Sequence, residues 1–258
     1  MDLPLMKWLA AARAGGRRPF AIAVLVALSM GAAVHADVVT FAQFNQQTVS
    51  DQSFAYNNQG SAAAFSSASQ GIPVYLVITS GFAPDLQRLQ SAHLFLTSNT
   101  AEAVMPLAPP DQLAREHFTG NPNSIQVLLD TPVNGKRDFL TVTFSDGLLS
   151  GRLSGTEASF KTSDTDSNTS RVSFVSDFID FTGAIEHGLS LSFSSVNSTD
   201  GSGLLGMAAN GFFRPFTASG TGTFDTTFAA APVPEPSTLV LAGFGLLSLL
   251  GLARSRRS

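Results

Sequence analysis

From Asp37 onward, hydrophobic and polar residues alternate in short runs separated by Gly, Asn, Asp and Ser, while helical spacing is scarce. VYLVIT (74–79), HLFLTS (93–98) and SIQVLLD (124–130) are rich in β-branched and aromatic residues and predict strands. In FLTVTFSDGLLSGRLSG, Leu140, Val142 and Phe144 share one face and Thr141 and Thr143 the other. Asp146 and Gly147 then predict a two-residue hairpin turn with positive φ. RVSFVSDFIDF (171–181), LSLSFSSV (189–196) and a closing strand FTASGTGTFDTTF (216–228) continue the pattern. Two helical segments are expected. PPDQLAREHF has Pro110 and Asp111 for a first turn, Leu113 and His117 on one face and Gly120 as a stop, and APDLQRLQS (83–91) would form a turn or two. Together these features predict an all-β fold, a single jelly-roll-like β-sandwich rather than a closed barrel, with two hydrophobic termini packed outside it.

Composition sharpens this picture in four ways. The chain has 258 residues, 44% hydrophobic and 13% charged, enough for one substantial core. Phenylalanine occurs 21 times and the one tryptophan, Trp8, lies near the N-terminus, so phenylalanine must supply the aromatic packing of the body. There is no cysteine, which removes disulfides, thiolate metal sites and cysteine nucleophiles. Residues 37–234 hold eight Lys or Arg against seventeen Asp or Glu, a net of −9. A body of that sign repels phosphate backbones and argues against nucleic-acid partners.

The two ends have a different character. Lys7, Arg13, Arg17 and Arg18 precede an 11-residue apolar run from Phe20 to Met30, then small residues to Val34-His35-Ala36. That is the layout of a signal peptide (1–36) cut by signal peptidase after Ala36, because the run is too short to cross a hydrocarbon core of about 30 Å comfortably. At the other end, Ser237 to Ala253 is a run of 17 apolar, glycine and serine residues that would rise about 25 Å as one transmembrane helix. Arg254, Arg256 and Arg257 follow as a basic stop held on the cytoplasmic side. Ahead of the run, Pro234 and Pro236 hold the chain extended and present Glu235 at the outer boundary of the inner membrane.

Val233-Pro234-Glu235-Pro236, one apolar span and a terminal arginine cluster, in that order, resemble the PEP-CTERM sorting signal of Gram-negative bacteria, over residues 232–258. The resemblance implies exosortase as the processing partner. It also implies inner-membrane anchoring with the body in the periplasm before processing, and delivery to the cell surface or extracellular matrix afterwards. SDFIDFTG and FTASGTGTF also look like bodies found ahead of such tails, which implies an extracellular β domain (37–231) associated with exopolysaccharide or biofilm. No catalytic residue is carried over by either likeness.

Other candidate chemistry is thin. GSGLLG (201–206) matches a dinucleotide fingerprint by letter, but no helix pattern follows it, so a glycine turn is expected. Asp164, Asp166 and Asn168 alternate as in a calcium loop, yet Thr169 replaces its glycine and Val175 its bidentate glutamate, so a solvated loop is expected. His93, His117 and His187 are too far apart for a local metal pair. In GRLSG (151–155) the serine is one place late for a nucleophile elbow, and the sequons at Asn168 and Asn197 are incidental in a bacterium. Catalytic residues, metal and cofactor are therefore expected to be none. The function expected is a non-enzymatic surface or matrix role. The alternatives are a carbohydrate-binding module, poorly supplied with aromatics, and a glycan hydrolase with paired carboxylates from distant strands.

Overall fold

Inward and outward positions alternate along nearly every strand of the computed structural model, which describes residues 38–107, 112–121, 123–163, 171–199 and 201–228. Among them there are fourteen strands and no helix. The first five are β1 (Val38–Gln46), β2 (Phe54–Asn58), β3 (Ala63–Ser67), β4 (Ile72–Ile78) and β5 (Leu89–Thr100). Then come β6 (Met105–Pro106), β7 (Leu113–Phe118), β8 (Ser124–Val133), β9 (Lys136–Phe144) and β10 (Gly147–Arg152). The last are β11 (Ala158–Ser163), β12 (Val172–Val175), β13 (Ala184–Ser198) and β14 (Phe216–Phe228). These strands belong to a unit running from Asp37 to Ala229.

All pairings are antiparallel and link the strands into one sheet that forks in the middle. One flank runs β12-β9-β8-β5 and the other β14-β13-β11-β10-β7-β6. Between β5 and β14, β3 and β2 form one bridge and β4 and β1 another. The edge of β14 is therefore shared: Phe216–Ala218 pair with β2 and Thr221–Thr227 with β1. At this fork Gly220 donates its N–H to Gln46 Oε1 at 3.2 Å, so a side chain supplies the bond that neither strand can make. At the matching fork in β5, Leu96 N–H donates to Ser67 Oγ at 3.1 Å.

The forked sheet folds back on itself around a core built from phenylalanine. Phe65 of the bridging β3 meets Phe54, Phe118, Phe160, Phe193 and Phe216 with ring centroids 5.1 to 6.3 Å apart, joining the β3-β2 bridge to the β14-to-β6 flank. Phe144 of β9 packs edge-on against Phe160 of β11, and Phe174 of β12 stacks on His187 of β13 at 4.5 Å. Neither pair is hydrogen-bonded strand to strand, so these contacts cross the layer between the flanks.

Three expectations need correcting. The first concerns residues 113–118, which form β7 and not a helix, with Ala114, Glu116 and Phe118 buried and Arg115 and His117 outward. A carboxylate at an inward position masked the two-residue period; Pro110 and Asp111 lie outside the described residues. Residues 83–88 likewise form turns, with Leu86 N–H donating to the Ala83 carbonyl, and Leu89 opens β5.

The second correction is the hairpin expected at Asp146-Gly147. β9 pairs with β8 and β12 whereas β10 pairs with β7 and β11, so Ser145 and Asp146 carry the chain from one flank to the other. Gly147 is required by close approach: a Cβ there would lie 2.2 Å from Cζ of Phe160. The two-residue turn is instead Asn134-Gly135, at φ 54° and 78° between β8 and β9, an Asn-Gly signal of the strongest hairpin type. The third is the run 171–181, where only Val172–Val175 form a strand before Ser176 Oγ caps a turn by accepting from the N–H groups of Phe178 and Ile179.

Candidate functional site

The most unusual group in the body is an acid in the core. β7 turns the Glu116 side chain inward, fully buried, where its Oε1 accepts from the Tyr56 hydroxyl at 2.9 Å. Tyr56 is itself enclosed by Phe118, Phe213 and Phe216, the last stacked parallel at 5.2 Å. Glu116 Oε2 has no hydrogen-bond partner. Burial pushes the Glu116 carboxyl up to about 8, against a smaller lowering by the Tyr56 hydrogen bond, and pushes the Tyr56 phenol well above its ordinary range. A protonated acid fits this site, since a charge there would sit among aromatic rings with one donor. None of the grooves described below is lined by Glu116 or Tyr56.

The histidines are engaged separately. His93 Nδ1 lies 2.6 Å from Asp130 Oδ1 and His117 Nδ1 lies 3.1 Å from Asp146 Oδ1, both partly exposed. The fold thus gives His117 an aspartate partner from the β9–β10 crossing, while Glu116 points to the opposite side of the strand. Among the described residues no three His, Asp or Glu side chains are grouped to hold a metal ion. Two carboxylates do border one shallow notch of about 220 Å³, Glu186 and Asp225, with His187 and Lys161 beside them. Each accepts a threonine hydroxyl, Glu186 from Thr227 and Asp225 from Thr40. The alternating loop at 164–168 lies outside the described residues. GSGLLG forms a turn with Gly201 and Gly203 at positive φ and no following helix, and its Leu205 exchanges backbone bonds with Ser154 and Gly155 of GRLSG.

The outer faces carry polar residues in lateral register. On one flank, Arg115, Ser150, Ser159, Ser192 and Thr221 are successive cross-strand partners, and the row continues through Asn45 to Tyr75. On the other, Ser66, Thr97, Ser124, Thr143 and Ser173 form a second row. Adjacent strands lie about 4.8 Å apart, so each row repeats hydrogen-bonding groups at that pitch. Grooves of about 520 and 690 Å³ follow the first and second rows. The serine alternation in LSLSFSSV was the visible signal; which strands brought their serines into line was not.

Pro234, Glu235 and Pro236, expected as the sorting residues, Arg254, Arg256 and Arg257, expected as the basic stop, and Ala36, expected at a leader cut, all lie outside the described residues. Among the described residues no helix is long and apolar enough to cross a membrane. The tail is decided by its sequence. A family model described as the PEP-CTERM protein-sorting motif matches residues 232–257. This chain carries a PEP-CTERM sorting motif. The motif implies an exported protein targeted to exosortase, with a membrane-anchored C-terminal sorting signal. No curated protein and no solved structure matches the chain. The PEP-CTERM tail therefore speaks for routing, and the β body must be read from its own surface.

Proposed function

We propose that the chain is exported by a signal peptide cut after Ala36, held in the inner membrane by a helix over 237–253, and processed by exosortase at its Pro234-Glu235-Pro236 tail. The body then serves at the cell surface or in the extracellular matrix as a non-enzymatic interaction domain linked to exopolysaccharide or biofilm. The observation that carries this reading is the PEP-CTERM motif at 232–257. Physical chemistry supports each step. Prolines on both sides of Glu235 stiffen the recognition segment, and the arginine cluster resists leaving the cytosol. Supporting a non-enzymatic role, the one carboxyl among the described residues strongly shifted toward catalytic range, Glu116, is sealed in the core. The folded-over antiparallel sheet is taken as a sandwich of jelly-roll type.

Intact-mass measurement of the protein from cells with and without exosortase tests the routing. The expected masses lack residues 1–36 in both strains and lack the tail beyond the Pro-Glu-Pro segment only when exosortase is present. Retention of residues 237–258 in both strains, or unchanged maturation after Pro234, Glu235 and Pro236 are all replaced by alanine, would overturn it. Normal matrix in a deletion strain would overturn the matrix role alone.

A further inference from the structure

Three cations of this acidic body flank one exposed patch without an ion pair, although Lys161 also borders the notch that holds Glu186 and Asp225. Arg115 on β7, Arg152 on β10 and Lys161 on β11 are all exposed, and neither ion pair among the described residues includes any of them. Arg115 and Ser150 are cross-strand partners, as are Ser150 and Ser159. Arg152 is two residues along from Ser150, and Lys161 two residues along from Ser159, so all four positions share one side of the sheet. The three cations therefore surround a serine pair, whose hydroxyls lie 3.0 Å apart. The groove of about 520 Å³ runs from this serine pair over Ser192 and Thr221; Arg152 and Glu157 are the charged residues that line it, and Arg115 and Lys161 flank its Ser150–Ser159 end.

We infer that this groove is a docking track for an extended polysaccharide bearing carboxylates. The inference deepens the surface-or-matrix reading above and rests on it for its biological setting. Charge complementarity selects the occupant: within a body of net −9, unpaired cations on one face attract anions there and nowhere else along that polar row. The serine and threonine hydroxyls beyond them both donate and accept, as sugar hydroxyls require, and repeat at about the 4.8 Å strand pitch. A densely charged polyanion such as a nucleic acid meets the surrounding negative field; a hydroxyl-rich chain with sparser carboxylates meets it far less.

Binding of the purified full chain in detergent to polygalacturonate, to its fully methyl-esterified form and to duplex DNA tests the track. Polygalacturonate is expected to bind, more weakly at higher salt, and the neutral ester to bind at least about tenfold less well, since exposed charge pairs carry the difference. Arg152→Glu with Lys161→Glu should weaken polygalacturonate binding by about tenfold or more, while Arg171→Glu on the opposite flank changes it by less than about twofold. Glu157→Gln should tighten binding, a gain that misfolding cannot mimic. Equal binding of the ester, equal loss with Arg171→Glu, no binding at low salt, or a preference for the DNA would each overturn the inference. Because the assay uses purified chain, failure here leaves the sorting result standing, and failed exosortase processing leaves this binding result standing.

Discussion

Replacing Glu116 by glutamine should flatten the stability of this protein against pH. In the folded state the Glu116 carboxyl loses its proton only at about 8, whereas its ordinary value is 4.5. Below pH 4.5 folded and unfolded states both hold the proton, and the group adds no pH dependence. As pH rises from 4.5 to 8 the unfolded state ionises first and binds fewer protons, so folding stability falls by about 1.4 kcal/mol per pH unit. The loss reaches about 3 kcal/mol at pH 7 and levels off near 5 kcal/mol above pH 8, where both states are ionised. Glutamine keeps the shape and the acceptor for the Tyr56 hydroxyl but cannot ionise. Urea unfolding of the full chain from pH 4 to 9, followed by far-ultraviolet circular dichroism, should show the two proteins within about 1 kcal/mol at pH 4 and the variant ahead by several kcal/mol at pH 8. Tyr56→Phe removes the hydrogen bond that favours the ionised form, and should move the upper end of the window to higher pH. A wild-type profile as flat as that of the glutamine variant, or a variant that declines in parallel with it, would refute the reasoning.

Packing and fork geometry give further expectations, each read by urea denaturation. Gln46→Leu leaves the buried Gly220 N–H without an acceptor and should cost about 1–3 kcal/mol. Phe65→Ala empties the position where five rings meet and should cost about 3–5 kcal/mol. Gly147→Ala forces a methyl into Phe160 and should cost about 1–3 kcal/mol, whereas Gly135→Ala, at positive φ with open space around it, should cost about 1 kcal/mol from backbone strain alone.

The strands centred on Tyr75, Leu96, Val127, Val142, Leu191 and Gly222 were legible because side-chain direction alternates residue by residue and leaves its period in the chain. β7 was not, because a single buried Glu116 broke that period and suited a helix reading. The Asp146-Gly147 error has another cause. A glycine serves a turn or a close approach equally well, and only the ring of Phe160 on a distant strand distinguishes them. VVTFAQFNQ, which became β1, went unread although its Phe41, Ala42 and Phe44 are buried.

By itself the sequence determined the β class, the acidic charge of the body, its reliance on phenylalanine and the sorting tail. All of these are local or additive: alternation, composition and a short linear motif need no partner to be recognised. Only the tertiary structure decided which edges pair, where the sheet forks, that Glu116 is sealed beneath Tyr56, and that Arg115, Arg152 and Lys161 gather over a serine pair. Backbone hydrogen bonds are nearly the same for any two strands, so pairing is chosen by how distant side chains fill one shared core. That choice is a property of the whole chain and leaves no mark in any one segment.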